Sequence, residues 1–76
     1  MNAQRRKRLI KVEALLSKAR GLLEEIVSKE REAFENIPES LLRSGRGYHM
    51  RNVLDALEQG VDDIERIESL LEEARS

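Results

Sequence analysis

The sequence predicts an all-α fold: an antiparallel two-helix hairpin, coiled-coil-like, that associates into a helical bundle. Two long segments repeat apolar residues at alternating spacings of three and four, the pattern of helices that pack along a seam. The stretch between them holds the only proline and two of the four glycines. The chain is 38% charged and 39% hydrophobic but only 3% aromatic, which is typical of helical proteins. Residues 1–76 are therefore expected to form one helical-hairpin domain.

The first helix is expected over about 3–36, because the apolar spacing continues without a slip until Pro38. Glu30 is the one charged residue in this seam. It either lies at a solvent-exposed end of the seam or acts as a polar group that sets the register of the helices. The predicted seam positions are Leu9, Val12, Leu16, Ala19, Leu23, Ile26, Glu30, Ala33 and Ile37.

A loop with a short helical turn is expected over residues 37–46. Pro38 either stops the first helix or opens an extra turn at Glu39–Leu42, whose leucines can cover the end of the bundle. Ser44 or Gly47 then caps the second helix. The connection is longer than the roughly two to eight residues that usually join bundle helices, so its extra length calls for an explanation.

The second helix is expected over about 47–74, again from the alternating apolar spacing. If Ile37 lies level with Met50, Gly60 lies opposite Ile26. That pairing either lets the two backbones approach closely or reflects a glycine merely tolerated in a helix. The predicted seam positions are Met50, Val53, Leu57, Gly60, Ile64, Ile67, Leu71 and Ala74.

Both apolar stripes are wider than one neighbouring helix can cover. The residues that widen them are Leu15, Leu22, Val27, Phe34, Leu54, Val61 and Leu70. A lone hairpin would leave much of this surface wet, so self-association into a homo-oligomer is expected. The predicted oligomer core consists of Leu9, Val12, Leu16, Leu23, Ile26, Val53, Leu57, Gly60, Ile64, Ile67 and Leu71.

Several classes of function have no support in the sequence. The chain has no cysteine and one histidine, so neither a disulfide framework nor a metal site built on thiolates or paired histidines is expected. No catalytic or cofactor motif appears, so we expect a protein that is not an enzyme and needs no cofactor. No apolar run approaches the ~20 residues that cross a bilayer, and no signal peptide follows the basic start. A cytoplasmic protein without a membrane partner is expected.

Charge is distributed unevenly along the chain. Residues 1–11 carry five basic side chains and no acid, whereas residues 55–73 carry eight acids and one arginine. Pairing across an antiparallel hairpin explains part of this asymmetry. The predicted register also lets a basic arm project past the second helix, where it could contact nucleic acid or a protein. The basic arm consists of Arg5, Arg6, Lys7 and Arg8.

The connection between the helices carries the one constellation that could bind a ligand. Arginines, glycine N–H groups, the positive end of the second helix and a tyrosine ring are components of a phosphate or nucleotide site. Alternatively, Tyr48 packs on Leu41 or Leu42, and the arginines pair with nearby glutamates. The candidate residues are Arg43, Gly45, Arg46, Gly47, Tyr48, His49 and Arg51.

The segment Ala33-Phe34-Glu35-Asn36-Ile37-Pro38-Glu39-Ser40-Leu41, followed by Ser44-x-Arg46-Gly47-x-x-Met50, resembles a group of short helical proteins encoded by phages and prophages. Gly45 and Tyr48 depart from that group's pattern, in which Glu-Arg-Gly-Glu often follows the serine. The resemblance implies a viral accessory protein in the cytoplasm of a bacterial host, with no assigned activity. By architecture the chain also resembles phage sponges that sequester cyclic oligonucleotide defence signals, and plasmid hairpin dimers that bind paired RNA loops.

Three functions therefore compete. The first is an oligomer that sequesters a small anionic or nucleotide ligand of host defence at the Arg46-Gly47-Tyr48 segment. The second is a protein-interaction module that inhibits or bridges a host protein through its helix faces. The third is an RNA or DNA binder that uses the basic arm, which is less favoured because the arm is short and the chain has a net charge of −1.

Overall fold

Three helices account for almost all of the chain. The computed structural model describes all 76 residues and contains α1 (Ala3–Glu35), α2 (Glu39–Leu42) and α3 (Gly45–Arg75). The two long helices pack against each other, and the short α2 packs on α3. The all-α class is thus confirmed. The expected bounds were about 3–36 for the first long helix and about 47–74 for the second, so α3 begins two residues earlier than expected.

The helix ends follow local capping chemistry. Asn2 caps α1, because its side-chain Oδ1 accepts a hydrogen bond from the Arg5 N–H at 2.8 Å. Pro38 lies at the N-cap of α2. Of the two predicted caps for α3, Ser44 is the one used: its Oγ accepts from the Gly47 N–H at 3.3 Å and donates to the Leu41 carbonyl at 2.6 Å.

Gly47 is required by close packing between α2 and α3. No glycine in the chain has a positive φ, so the requirement does not come from backbone conformation. A Cβ at Gly47 would overlap the carbonyl oxygens of Leu41 and Leu42 and lie 2.7 Å from the Leu42 carbonyl carbon. The glycine therefore allows α2 to fold directly onto the first turn of α3.

Ion pairs between the long helices show that they run antiparallel. Glu13 pairs with Arg75, Arg20 with Glu68 and Arg31 with Glu58, so partner numbers fall on α3 as they rise on α1. The register lies within two residues of the one expected from Ile37 opposite Met50. The connecting segment thus forms one end of the molecule, which we call the tip. The end that carries Ala3 and Arg75 is called the open end.

The phase of the seam differs from the prediction. The side chains of Val12, Ala19, Ile26 and Ala33 were expected between the helices but are exposed, and so are those of Ile67 and Ala74. The residues one position later take their places: Glu13, Arg20, Val27, Phe34, Glu68 and Arg75. Both phases have the same spacing of three and four. The observed one buries Val27 and places Arg20 beside Glu68.

The remaining predicted seam residues lie between the helices at least in part. On α1 these are Leu16, Leu23 and Glu30, with Ile37 just after it, and on α3 they are Met50, Val53, Leu57, Gly60, Ile64 and Leu71. Leu9 is partly buried but lies past the end of α3. Gly60 lies against Leu23 and not against Ile26 as predicted. A Cβ added at Gly60 would lie 3.4 Å from the Leu23 Cδ2. Val27 and Leu54 are the only apolar side chains that are almost completely buried, with 7% and 8% exposure. The core is therefore small and lies in the half of the hairpin nearer the tip.

Candidate functional site

The hairpin has two long faces of opposite character. One of them, which we call the polar face, carries two shallow grooves that are lined by α1 and α3 together. One groove is lined by Glu24, Val27, Ser28, Arg31, Glu58, Val61 and Asp62. The other is lined by Glu13, Arg20, Glu65, Glu68, Ser69 and Glu72. Because side chains of both helices border each groove, these positions must lie on the same side of the hairpin.

Ion pairs cross the polar face. Arg20 Nε donates to Glu68 Oε1 at 2.6 Å, and its Nη1 donates to Glu24 Oε1 at 2.9 Å. These hydrogen bonds, first to Glu68 and then to Glu24, raise the pKa of Arg20 further above its usual range. Arg75 Nε donates to Glu13 Oε2 at 2.7 Å nearer the open end. Arg20 and Arg31, the two arginines that line the grooves, are therefore both paired within one chain.

The opposite side carries exposed apolar side chains, and we call it the apolar face. Its α1 residues again follow spacings of three and four, which places them on one helical stripe. Leu15 and Leu22 are 69% and 55% exposed. The apolar face consists of Val12, Leu15, Ala19, Leu22 and Ile26 on α1 and of Ala56, Ile67, Leu70 and Ala74 on α3.

The predicted oligomer core divides between the two environments. Its members Val12, Ile26 and Ile67 lie on the apolar face. The others lie at least half-buried within the single hairpin: Leu9, Leu16, Leu23, Val53, Leu57, Gly60, Ile64 and Leu71. The sequence thus identified apolar stripes on both helices. It did not separate the residues that pack within one chain from those left available outside it.

The tip presents basic and aromatic side chains to solvent. Arg43, Arg46, Tyr48 and His49 are exposed, and the Tyr48 side chain is not packed away beneath Leu41 or Leu42, since 59% of it is exposed. Neither Arg43 nor Arg46 forms an ion pair. Gly45 is also exposed.

Two tip residues have other roles. The guanidinium of Arg51 lies over the Phe34 ring of α1, 5.6 Å from its centroid. The Gly47 N–H donates to the Ser44 cap, and Gly47 itself is buried. The Gly47 N–H is therefore already used by the cap, whereas the exposed guanidinium of Arg51 lies against α1. No cavity of the chain is lined by tip residues, which form an open surface within one hairpin.

The basic arm is part of α1. Arg5, Arg6, Lys7 and Arg8 are all exposed, and none of them forms an ion pair. Because Arg75 is level with Glu13, these four residues lie beyond the last turn of α3. A third surface depression borders this region and is lined by Met1, Arg5, Arg8, Leu9 and Val12.

Sequence reasoning missed the ion pairs inside the seam. Arg20 and Glu68 both flank the predicted seam, and the assumed register already places them level with each other. Testing charge complementarity across that register would have revealed the pair and the correct phase. No group of His, Asp or Glu side chains in the structure converges as metal ligands would. None of the helices is both long and apolar enough to span a bilayer.

The chain matches no protein-family model, and no curated protein or solved structure is detectably similar to it.

Proposed function

We propose that this protein acts by binding rather than by catalysis, as an oligomeric helical interaction module that works through its helix faces. The observation that carries the proposal is the exposed apolar face, which extends from Val12 to Ile26 on α1 and includes Ile67 and Leu70 on α3. Contiguous exposed apolar surface of this kind typically marks a protein interaction site. The loop resemblance adds the proposal that the module is an accessory protein of a phage or prophage acting in its bacterial host.

The geometry favours the helix faces over the tip. The apolar side chains of the face have no covering element within the chain, whereas the tip residues do not enclose a cavity. Small-molecule sites generally bury most of their ligand in a concave pocket. A face that needs a helical partner is thus the stronger candidate for the binding surface.

Sedimentation velocity of the unmodified protein and of two lysine variants tests this proposal. Leu22→Lys places a charge in the apolar face, whereas Ser17→Lys places the same charge at an exposed position outside it on the same helix. We expect the unmodified protein and Ser17→Lys to sediment as a dimer or larger species at micromolar concentration. Leu22→Lys should sediment as a monomer or unfold. A folded, stable monomer for the unmodified protein would contradict the proposal.

Sequestration of a small anion or nucleotide at the tip is a second proposal, supported by the exposed Tyr48 ring and the unpaired Arg43 and Arg46. A ligand bound there should raise the melting temperature by mass action. Tyr48→Ala should remove that increase with little effect on the empty protein, because the ring contributes little packing. If no member of a nucleotide panel shifts the melting temperature of the unmodified protein, this proposal fails.

A further inference from the structure

We propose that the occupant of the apolar face is the apolar face of a second copy of the chain, packed antiparallel. In this arrangement α1 lies against the partner's α1 and α3 against the partner's α3, so the two tips are at opposite ends of a four-helix bundle. The inference rests on the proposed function, because it names what covers the surface that the function uses.

The surface area of the chain fits a second copy. The hairpin exposes 6028 Å², whereas a compact folded protein of its 8.8 kDa mass exposes about 4,800 Å². The difference exceeds the roughly 800 Å² that each partner buries in a standard stable interface. The Cα radius of gyration is 17.3 Å, compared with about 11 Å for a compact chain of this length. One hairpin therefore leaves uncovered the area that a stable dimer needs.

A row of charges beside the apolar face determines which partner fits. Lys11, Lys18, Glu25 and Glu32 are spaced by seven residues, so they share one edge of α1 and border the stripe that contains Leu15 and Leu22. All four side chains are exposed, and none forms an ion pair within the chain. The edge is positive in its first half and negative in its second half. An antiparallel copy of the same edge complements every charge.

The charge pairing and the apolar contacts agree on one register. An antiparallel α1 pair that sets Lys18 opposite the partner's Glu25 also sets Lys11 opposite the partner's Glu32. The same register sets Ala19 against the partner's Leu22. Leu15 then meets the partner's Ile26. Apolar residues thus meet apolar residues in the central layers of the interface, while the ion pairs lie at its margin.

The arrangement with both tips at the same end is disfavoured by charge. There α1 would face the partner's α3 at the level already set by the Arg20–Glu68 pair. The two basic arms, Arg5 to Arg8 of each copy, would then share one end of the bundle. Like charges at an interface oppose association and commonly exclude the wrong arrangement.

Distances between spin labels distinguish the two arrangements, and the absence of cysteine makes single labels simple to introduce. Gln4→Cys and Ser40→Cys place a label on exposed positions near the open end and at the tip. In the antiparallel dimer, at 1.5 Å per residue, two labels at position 4 should be about 50 Å apart, and two at position 40 about 60 Å apart. With both tips at one end, each distance should fall below about 30 Å, because only the bundle width separates the labels.

The outcomes separate this inference from the proposed function. A dimer with the long distances supports both. A dimer with short distances overturns the antiparallel arrangement and leaves the proposed oligomer intact. A monomer without dipolar coupling between labels overturns both.

Charge reversal tests the register independently. Lys18→Glu would place like charges at two symmetric contacts and should raise the dimer dissociation constant on the order of tenfold. Glu25→Lys should have a similar effect, and combining the two substitutions in one chain should restore association. Ser17→Lys and Ser28→Lys, on exposed positions outside the apolar face, serve as controls for a change of net charge. Failure of the double variant to recover would overturn the proposed register.

Discussion

The tip half and the open half of the hairpin use the same two helices but different seams. Between Leu23 and the tip, the seam is mostly apolar and contains the two best buried side chains, Val27 and Leu54. Towards the open end, the ion pairs Arg20–Glu68 and Glu13–Arg75 alternate with leucine. The tip half therefore supplies most of the packing energy of the single chain, whereas the open half supplies pairing specificity.

The open half also contains most of the large apolar side chains that the hairpin leaves outside. Val12, Leu15 and Leu22 on α1 and Ile67 and Leu70 on α3 are exposed although charged residues occupy the seam beside them. Placing charges between the helices and leucines outside them is unfavourable for an isolated hairpin. The distribution is understandable if the open half completes its core with a partner.

The largest expected effect of a single truncation on stability is in the tip half. Leu54→Ala removes one of the two best buried side chains and should lower the free energy of unfolding by about 2–4 kcal/mol. Leu71→Ala, at a half-buried position of the open half, should cost about half as much. Urea denaturation at one fixed protein concentration measures both. Equal losses would show that the two halves pack equally well.

A methyl group added at the tip should have the next largest effect. Gly47→Ala forces a Cβ against the backbone of Leu41 and Leu42 and should lower the free energy of unfolding by about 1–3 kcal/mol. Gly45→Ala is the matched control, because its Cβ would meet no atom within 4 Å. The changes in melting temperature that the two substitutions cause, measured by thermal denaturation, should therefore differ in sign or clearly in size. Similar behaviour would argue against close packing of α2 on α3.

Exchanging the open-half ion pair for leucines should make the two halves alike. Glu68→Leu alone leaves Arg20 without its principal partner and should lower the melting temperature. The double variant Arg20→Leu with Glu68→Leu should recover or exceed the original melting temperature, because a packed apolar pair can replace a partly buried ion pair without loss. A double variant less stable than the single one would show that the ion pair contributes more than pairing specificity.

The ion pair at the solvent edge should contribute less. Arg31 and Glu58 are 50% and 40% exposed, so Arg31→Ala should change the free energy of unfolding by no more than about 0.5 kcal/mol. Added salt should reduce even this difference. A larger loss of unfolding free energy, measured by urea denaturation, would show that this pair contributes as much to stability as the ion pairs of the seam.

The smallest effect on stability is expected at the basic arm. Replacement of Arg5, Arg6, Lys7 and Arg8 by Gln should leave the melting temperature nearly unchanged, because none of these side chains pairs within the chain. If the arm binds nucleic acid, the replacement should abolish a gel shift observed at low salt. Absence of any shift with the unmodified protein would remove nucleic acid from the candidate partners.

The helices and their order could be predicted from sequence, whereas the rotation of each helix could not. Spacings of three and four fit a seam containing Val12 and Ile26 as well as one containing Glu13 and Val27, because the two seams share their leucines and differ by one position in between. The choice between the phases depends on Arg20 meeting Glu68, a contact between residues 48 positions apart. Periodicity along one helix carries no information about that contact.

Only part of the candidate site at the tip could be predicted from the sequence. The exposure of Arg43, Arg46 and Tyr48 follows from their place near the end of a polar connection. The use of the Gly47 N–H by Ser44 and the contact of Arg51 with Phe34 depend on how α2 folds back and how α1 and α3 align. Such contacts require three-dimensional structure.

The uneven seam has a consequence for how the hairpin opens. α2 and the Ser44 cap hold the helices together at the tip, whereas α1 before Glu13 has no helix beside it. Helices fray from ends that lack packing, and amide hydrogens exchange fastest where the free energy of local opening is lowest. Amide exchange should therefore slow progressively from the open end towards Val27 and Leu54, because the helices separate from the open end first. A bound second copy would slow exchange most in the outer turns, which are the first to separate in the single chain.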